Sequence, residues 1–147
     1  MSDEITVRSS LHIRKETSSG EVQLEYLPKP TTFTDDLTGV KGPTPGAFDA
    51  SILGTDVDLT ELTTPGYCRI RNLDDTNFVT VGIWDPEGST FHPFLELGPM
   101  KHVDLQLSRY IQEEYGTGTG TTGAGTNRLR VKADTATCNV SVEAFEK

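Results

Sequence analysis

The side chains that could carry out chemistry are scattered along this chain. The three histidines, His12, His92 and His102, lie in different segments, and none belongs to an HxH or HExxH pattern. Spacing of that kind is what brings imidazoles together on one zinc ion. A GxSxG sequence, which would indicate a serine nucleophile, is also absent. The sequence therefore predicts a protein that is not an enzyme, with no catalytic residues, no bound metal and no cofactor.

A glycine-rich stretch, residues 116–127, contains the spacing Gly118-x-Gly120-x-x-Gly123 of a dinucleotide-binding fingerprint. That fingerprint functions between a strand and a helix, because the phosphates then lie at the N-terminus of the helix. Here a strand-like segment follows the glycines, and no crossover helix is indicated. We interpret the stretch as a surface loop.

Net charge narrows the class of partner. The chain carries 22 acidic and 13 basic residues, which gives a formal net charge of −9. Such a surface repels phosphate backbones and anionic lipids, so we expect neither nucleic acid nor a membrane as a partner. The basic residues on predicted polar strand faces could form one stripe: Arg69, Arg71, Arg128, Arg130 and Lys132. In so acidic a protein, we expect these side chains to pair with carboxylates of the chain or of a partner.

The beginning of the chain and its hydropathy predict a soluble protein made in the cytoplasm. The first ten residues, MSDEITVRSS, show no basic segment followed by an apolar one, as a secretory signal would. No stretch approaches the roughly 20 apolar residues of a membrane span.

The elements that must position these side chains are short strands. Apolar and polar residues alternate with period two in many segments, which is typical of strands with one buried face. The clearest are 5–7, 22–26, 79–83, 103–107, 129–131 and 140–142. Turn residues separate them at intervals that are typical of all-β folds. The pattern predicts an antiparallel β-sandwich with a jelly-roll-like arrangement, and one short helix over residues 108–115.

The N-terminal part differs from the rest. Residues 1–62 are predicted to form a hairpin, over about the first 28 residues, followed by an extended arm rich in proline and glycine. Pro28, Pro30, Pro43 and Pro45 interrupt regular pairing, since proline lacks a backbone donor. Apolar residues nevertheless recur, so we expect the arm to cover the chain's own core or a neighbouring subunit. Residues 63–147 are predicted to form the β-sandwich domain.

Two further sets of residues allow alternative interpretations. Tyr67, Trp84, Phe91 and Phe94 fall near two predicted hairpins and could stack on sugar rings, although aromatic residues also dominate cores and interfaces. We favour a core or subunit-interface role. Cys68 and Cys138 lie inside predicted strands, and we interpret them as buried thiols that could form a disulfide only if those strands are neighbours.

One part of the chain resembles a known group of proteins through residues that shape turns. The matching residues are Leu62-Thr63-Thr64-Pro65-Gly66, Asn72-Leu73-Asp74, Thr76-Asn77-Phe78-Val79, Phe91-His92-Pro93-Phe94, Leu97-Gly98-Pro99 and Lys132-Ala133-Asp134-Thr135-Ala136-Thr137-Cys138. With these residues, the chain resembles small β-sandwich structural proteins of tailed-bacteriophage virions over residues 55–147. It departs from that group at Met100-Lys101, where similar proteins usually carry Gly-Glu.

The resemblance implies a virion structural protein. It favours a capsid decoration or cement protein, which stabilises the phage head through contacts between subunits. A tail or tail-fibre-associated structural protein is one alternative, and a carbohydrate-binding module for host-surface recognition is another. The implied partners are the major capsid protein or other virion proteins, and a homo-oligomer such as a trimer agrees with the usual symmetry of assemblies. Such a protein is made in the host cytoplasm and located in the virion.

For such a protein, apolar residues of the arm would form the interface. Prolines reduce the entropy that an extended segment loses when it becomes ordered on a partner. The apolar area buried there then contributes about 25 cal/mol per Å². The interface residues we expect are Phe33, Phe48, Leu59 and Leu62 in the arm, and Trp84, Phe91 and Phe94 in the sandwich.

Overall fold

The computed structural model describes residues 4–37, 39–108, 111 and 128–147. These residues form two compact units, of which the first ends at Leu37 and the second begins at Thr38. This division differs from the expected boundary at residue 62. Residues 44–62 belong to the second unit because they supply two of its strands and several of its buried side chains. The predicted helix over 108–115 and the loop over 116–127 lie outside the described residues, except for Ser108 and Ile111.

The first unit is a β-ribbon, which is a pair of two-stranded antiparallel ladders. Its strands are β1 (Ile5–Ser9), β2 (Ile13–Glu16), β3 (Val22–Tyr26) and β4 (Thr31–Asp35). The inner strands β2 and β3 pair with each other, and the outer strands β1 and β4 do the same. The turn between β2 and β3 follows the predicted signal at 17–20: Gly20 adopts a φ of 86°, and its N–H donates to the Thr17 carbonyl at 3.0 Å.

The second unit contains eight strands. They are β5 (Thr44–Ala50), β6 (Thr55–Asp56), β7 (Pro65–Asn72), β8 (Val79–Asp85), β9 (Thr90–Leu97), β10 (His102–Gln106), β11 (Arg128–Ala133) and β12 (Cys138–Glu146). They pair in a nested order, in which β5 lies beside β12, β6 beside β11, β7 beside β10 and β8 beside β9.

Two further pairings divide these strands between two sheets. β12 also pairs with β7, and β11 also pairs with β8. The sheets have the orders β10-β7-β12-β5 and β6-β11-β8-β9. Nested antiparallel pairing spread over two four-stranded sheets is the architecture of a jelly roll. The predicted all-β sandwich of jelly-roll type is therefore confirmed.

The core lies between the two sheets. Its buried apolar residues come from both sheets and from two connections: Ala50, Val57, Leu59, Leu62, Cys68, Ile70, Val79, Val81, Leu97, Leu107, Leu129, Val131, Ala133, Cys138, Val140, Val142 and Ala144. The alternation seen in the sequence places every second residue here. Both cysteines are buried and unbonded, as expected, and burial raises the pKa of the Cys68 thiol to about 12.

One buried side chain connects the two sheets. Asn72, at the end of β7, is only 1% exposed. Its amide donates to the carbonyls of Asn77, Leu97 and Gly98 at 2.8, 3.2 and 3.1 Å, and its Oδ1 accepts the Asp74 N–H at 3.0 Å. Because Leu97 closes β9 in the opposite sheet, this amide holds the corner where the two sheets meet. The Asn-Leu-Asp motif is thus a determinant of folding.

Candidate interaction surfaces

One face of the ribbon is apolar and exposed. Ile13 lies opposite Tyr26, and Lys15 lies opposite Leu24, so that all four side chains share one face. Ile13, Leu24 and Tyr26 are 41%, 53% and 52% exposed. We call Ile13, Leu24 and Tyr26 the ribbon face. Two strands supply too little mutual burial for independent stability in water, so this face is suited to burial against another surface.

The reverse side of the same ribbon is charged. Arg14 lies opposite Glu25 and contacts the carboxylates of Glu16 and Glu25 at 2.7 and 3.9 Å. These side chains are about half exposed, and ion pairs of this kind contribute only about 0–1 kcal/mol. The ribbon is therefore amphipathic: one face is charged and exposed to solvent, and the opposite face is apolar and suited to burial.

The outer ladder of the ribbon repeats this arrangement more weakly. Val7 lies opposite Phe33, with Ile5 two residues away on the same face. Ile5 and Val7 are half-buried, whereas Phe33 is 50% exposed. Phe33 is thus exposed on the ribbon, and its role at an interface stays a prediction.

The other expected anchors of the arm lie elsewhere. Leu59 and Leu62 are only 2% and 1% exposed and pack in the core of the sandwich. Their prediction as interface residues is wrong, because the connection between β6 and β7 turns inward over the open end of the core. Phe48, on the edge strand β5, is half-buried against that core.

Trp84, Phe91 and Phe94 lie on and beside the outer surface of the sheet β6-β11-β8-β9, whereas Tyr67 lies in β7 of the other sheet. Trp84 lies opposite Phe91, and both are half-buried. The Phe91 ring extends over Gly82, where a Cβ would come within 2.7 Å of it. The Arg130 guanidinium lies 4.0 Å from the centre of the Trp84 ring and covers one of its faces. A sugar could not stack on that face unless Arg130 moved away.

Phe94 is the most exposed of the expected sandwich residues. It lies in β9 at the irregularity where Val81 pairs with Leu95 and Gly82 pairs with Pro93. Its side chain is 57% exposed. Strand β9 forms an edge of its sheet, as its proline predicts, since proline lacks a backbone donor for a further strand.

On the outer surface of the sheet β6-β11-β8-β9, the Asp56 carboxylate pairs with two arginines. It accepts hydrogen bonds from Arg130 at 2.6 Å and from Arg128 at 3.0 Å. Burial by itself would raise the pKa of Asp56, but the hydrogen bonds and positive charges of Arg130 and Arg128 outweigh it and lower that pKa. Both arginines are thus paired with a carboxylate of the same chain, which offsets one of their two positive charges.

A second set of ion pairs lies on the outer surface of the other sheet. Arg69 donates twice to Asp104, at 2.6 and 3.1 Å, and Arg71 donates to Glu143 at 2.7 Å. The hydrogen bond from Arg69 is the main reason that the pKa of Asp104 is lowered. The four arginines therefore form two separate sets, each paired with carboxylates of the chain, as the acidic composition predicted. Lys132 is exposed on β11, and because the sets lie on different sheets the five basic residues do not form one continuous stripe.

Other kinds of site receive no support from the geometry. Within the part of the chain that the structure describes, no three His, Cys, Asp or Glu side chains are grouped as metal ligands. In the same residues, no helix is long and apolar enough to cross a membrane.

Searches against known protein families, curated proteins and solved structures find no match to this chain.

Sequence reasoning missed a group of exposed apolar residues at one end of the sandwich. Ile52, Leu53, Phe78 and Met100 are 48%, 84%, 43% and 64% exposed. One signal was available: Ile52 and Leu53 stand between Ser51 and Gly54, which form a turn, and turns are usually polar. The proximity of the other two residues depends on strand pairing and could not be read from their spacing.

Proposed function

We propose that this protein is a structural component of a phage virion, a capsid decoration protein that binds neighbouring capsid subunits through its ribbon. The observation that carries the proposal is the ribbon face, on which three large apolar side chains remain about half exposed. A ribbon with one apolar side and one charged side is suited to lying flat on another protein.

Backbone pairing can add to this attachment. Within the described residues, β2 and β3 pair only with each other, so each has one edge along which no further strand pairs. Strand addition at such an edge supplies hydrogen bonds, while alternate side chains supply specificity. A partner with an accessible sheet edge would thereby complete a sheet that the ribbon alone leaves at two strands.

The apolar contribution can be estimated. Full burial of a large apolar side chain contributes about 1.5–3 kcal/mol, so covering the exposed half of each ribbon-face residue adds about 1 kcal/mol per residue. One ribbon would gain about 3 kcal/mol in this way, which is modest. Joining several ribbons in one oligomer, such as a trimer, would strengthen attachment to the capsid through avidity.

The fold agrees with this function by analogy, since jelly rolls occur in viral capsid proteins and also in lectins. The lectin alternative is less well supported here, because Arg130 covers one face of the Trp84 ring. A tail-associated role would use the same ribbon chemistry with a different neighbour, and the location of the protein in the particle distinguishes the two.

The test is incorporation into particles. Particles assembled from the genome that encodes this chain are purified with the wild-type protein or with a triple variant, Ile13→Ser, Leu24→Ser and Tyr26→Ser. A double variant of the charged side, Arg14→Ser and Glu25→Ser, is the matched control. Quantitative mass spectrometry measures copies per particle, and immunogold labelling shows whether they lie on the head or the tail.

We expect head labelling, a loss of at least about tenfold in copy number for the triple variant, and near-normal copy number for the control. Each ribbon-face serine removes about 1 kcal/mol, which accounts for a loss of that size. Absence of the wild-type chain from purified particles would refute a virion role. Equal incorporation of all three proteins would refute attachment through the ribbon face.

A further inference from the structure

Four connections of the sandwich meet at one end. They are residues 51–54, 73–78, 98–101 and 134–137, and we call them the turn end. Strand pairing brings them together: Ala50 lies opposite Cys138, and Val79 lies opposite both Ala133 and Leu97.

Backbone hydrogen bonds connect these turns to one another. The Ala133 N–H donates to the Ser51 carbonyl at 3.0 Å, and the Asp134 N–H donates to the Phe78 carbonyl at 3.1 Å. The Met100 N–H donates to the Asp74 carbonyl, also at 3.0 Å. Together with the buried amide of Asn72, these bonds make the turn end a single constructed surface.

That surface carries exposed apolar side chains. Ile52, Leu53, Phe78 and Met100 come from three of the four turns and are all substantially exposed, with Leu53 at 84%. The Phe78 ring also packs over Gly98, where a Cβ would lie 3.2 Å from it. Clusters of exposed large apolar side chains on a water-soluble surface mark sites of contact with other molecules.

The backbone holds two of these side chains outward. The Ser51 hydroxyl donates to the Gly54 carbonyl at 3.2 Å, and the Gly54 N–H donates to the Ser51 carbonyl at 3.1 Å, so that Ile52 and Leu53 project from a closed turn.

Met100 has a φ of 58°, a left-handed conformation that is costly for a residue with a side chain. Such conformations cluster at functional sites, where the rest of the structure maintains them.

Charge indicates what kind of partner fits. The four turns contain three carboxylates, Asp74, Asp75 and Asp134, and one basic residue, Lys101. Two copies that met through this end would bring their acidic side chains together, and like charges across an interface suppress association. A partner with basic residues around an apolar depression has the complementary surface.

We propose that the turn end is a second docking surface, which inserts Leu53 and Met100 into an apolar depression edged by lysine or arginine on a different protein. It is separate from the ribbon face and goes beyond the function proposed above. The Leu53 side chain supplies the central anchor because it is the most exposed of the four, and the carboxylates orient the encounter.

Site-specific photocrosslinking in the cells that naturally make the protein tests this. The photoreactive residue p-benzoylphenylalanine replaces Leu53, Met100 or, as a control, the exposed Gln106, which lies at the end of β10 away from these turns. Each protein is also made with Asp75→Lys, or with Glu87→Lys in the turn between β8 and β9 as the matched charge reversal. Mass spectrometry identifies the crosslinked protein and the crosslinked peptide.

We expect positions 53 and 100 to crosslink the same foreign protein at a peptide that combines apolar residues with lysine or arginine, and position 106 to give no such product. Asp75→Lys should reduce that product about tenfold, since a like-charge contact costs affinity, and Glu87→Lys should leave it unchanged. Crosslinking to a second copy, products equal to those at position 106, or an unchanged yield with Asp75→Lys would each overturn the proposal.

Discussion

Replacement of Asn72 by alanine tests the explanation given for the corner between the two sheets. The change removes a side chain that is 1% exposed and leaves the carbonyls of Asn77, Leu97 and Gly98 without their shared donor. It also removes the acceptor of the Asp74 N–H. The surrounding residues are turns and strand ends, which cannot easily move to supply a new partner.

The magnitude follows from the hydrogen bonds. The amide has two hydrogens for three carbonyls, so one hydrogen is shared, and Oδ1 accepts one further bond. Three bonds at a net value of about 1 kcal/mol each give a loss of about 3 kcal/mol in the free energy of unfolding. For a domain of this size, each kcal/mol corresponds to about 4 °C, so we expect Tm to fall by about 12 °C.

A second substitution at the same position separates shape from chemistry. Asn72→Asp keeps the shape but points an anionic oxygen at carbonyl oxygens, so it should destabilise more than alanine at pH 7. Because the penalty belongs to the ionised form, the folded-state pKa of this aspartate is raised. The loss should therefore shrink as the pH falls towards its unfolded value of about 3.9.

Thermal and urea unfolding, followed by circular dichroism, measure these effects. Asn139→Ala is the control, because Asn139 lies in the neighbouring strand but is exposed and donates to Asp49 at 3.2 Å. The control should change stability by no more than about 0.5 kcal/mol. If Asn72→Ala and Asn139→Ala have equally small effects, the corner does not depend on this amide, and the reasoning fails.

Three further substitutions test packing and charge. Leu62→Ala should reduce the free energy of unfolding by about 2–5 kcal/mol in urea titration, because this leucine is a fully buried core residue. Gly82→Ala should lower stability by about 1–3 kcal/mol in the same titration, since the new Cβ would approach the His92 carbonyl at 2.5 Å and the Phe91 ring at 2.7 Å. Asp56→Asn should lower Tm at pH 7, and its difference from wild type should narrow as the pH falls below 3.8.

The pH dependence has a definite sign. The folded-state pKa of Asp56 is lowered, so its contribution is present above the unfolded value of 3.8 and disappears as the pH falls through the folded value. A constant difference between wild type and Asp56→Asn over that acidic range would contradict the role assigned to this carboxylate. If Leu62→Ala kept wild-type stability, this side chain would not contribute to the core as its burial indicates. If Gly82→Ala kept wild-type stability, the position would be less crowded than the distances indicate.

Local patterns in the sequence predicted much of the architecture. Period-two alternation located most of the strands. Glycine and proline located turns such as the one before β3, and the proline in β9 predicted that this strand lies at the edge of its sheet. The acidic composition predicted that the strand arginines would pair with carboxylates of the chain or of a partner, and Arg69, Arg71, Arg128 and Arg130 all pair within the chain. These features depend on neighbours along the chain or on total charge, which a sequence displays directly.

Tertiary structure decided which apolar residues are covered. Leu59 and Phe33 both fall in the segment predicted to be a proline-rich arm, yet Leu59 is 2% exposed in the core and Phe33 is 50% exposed on the ribbon. The apolar turn end is assembled from segments far apart in the sequence, because nested strand pairing returns their ends to one place. An isolated apolar residue has the same sequence signature in a core and at an interface, since the same hydrophobic effect favours both.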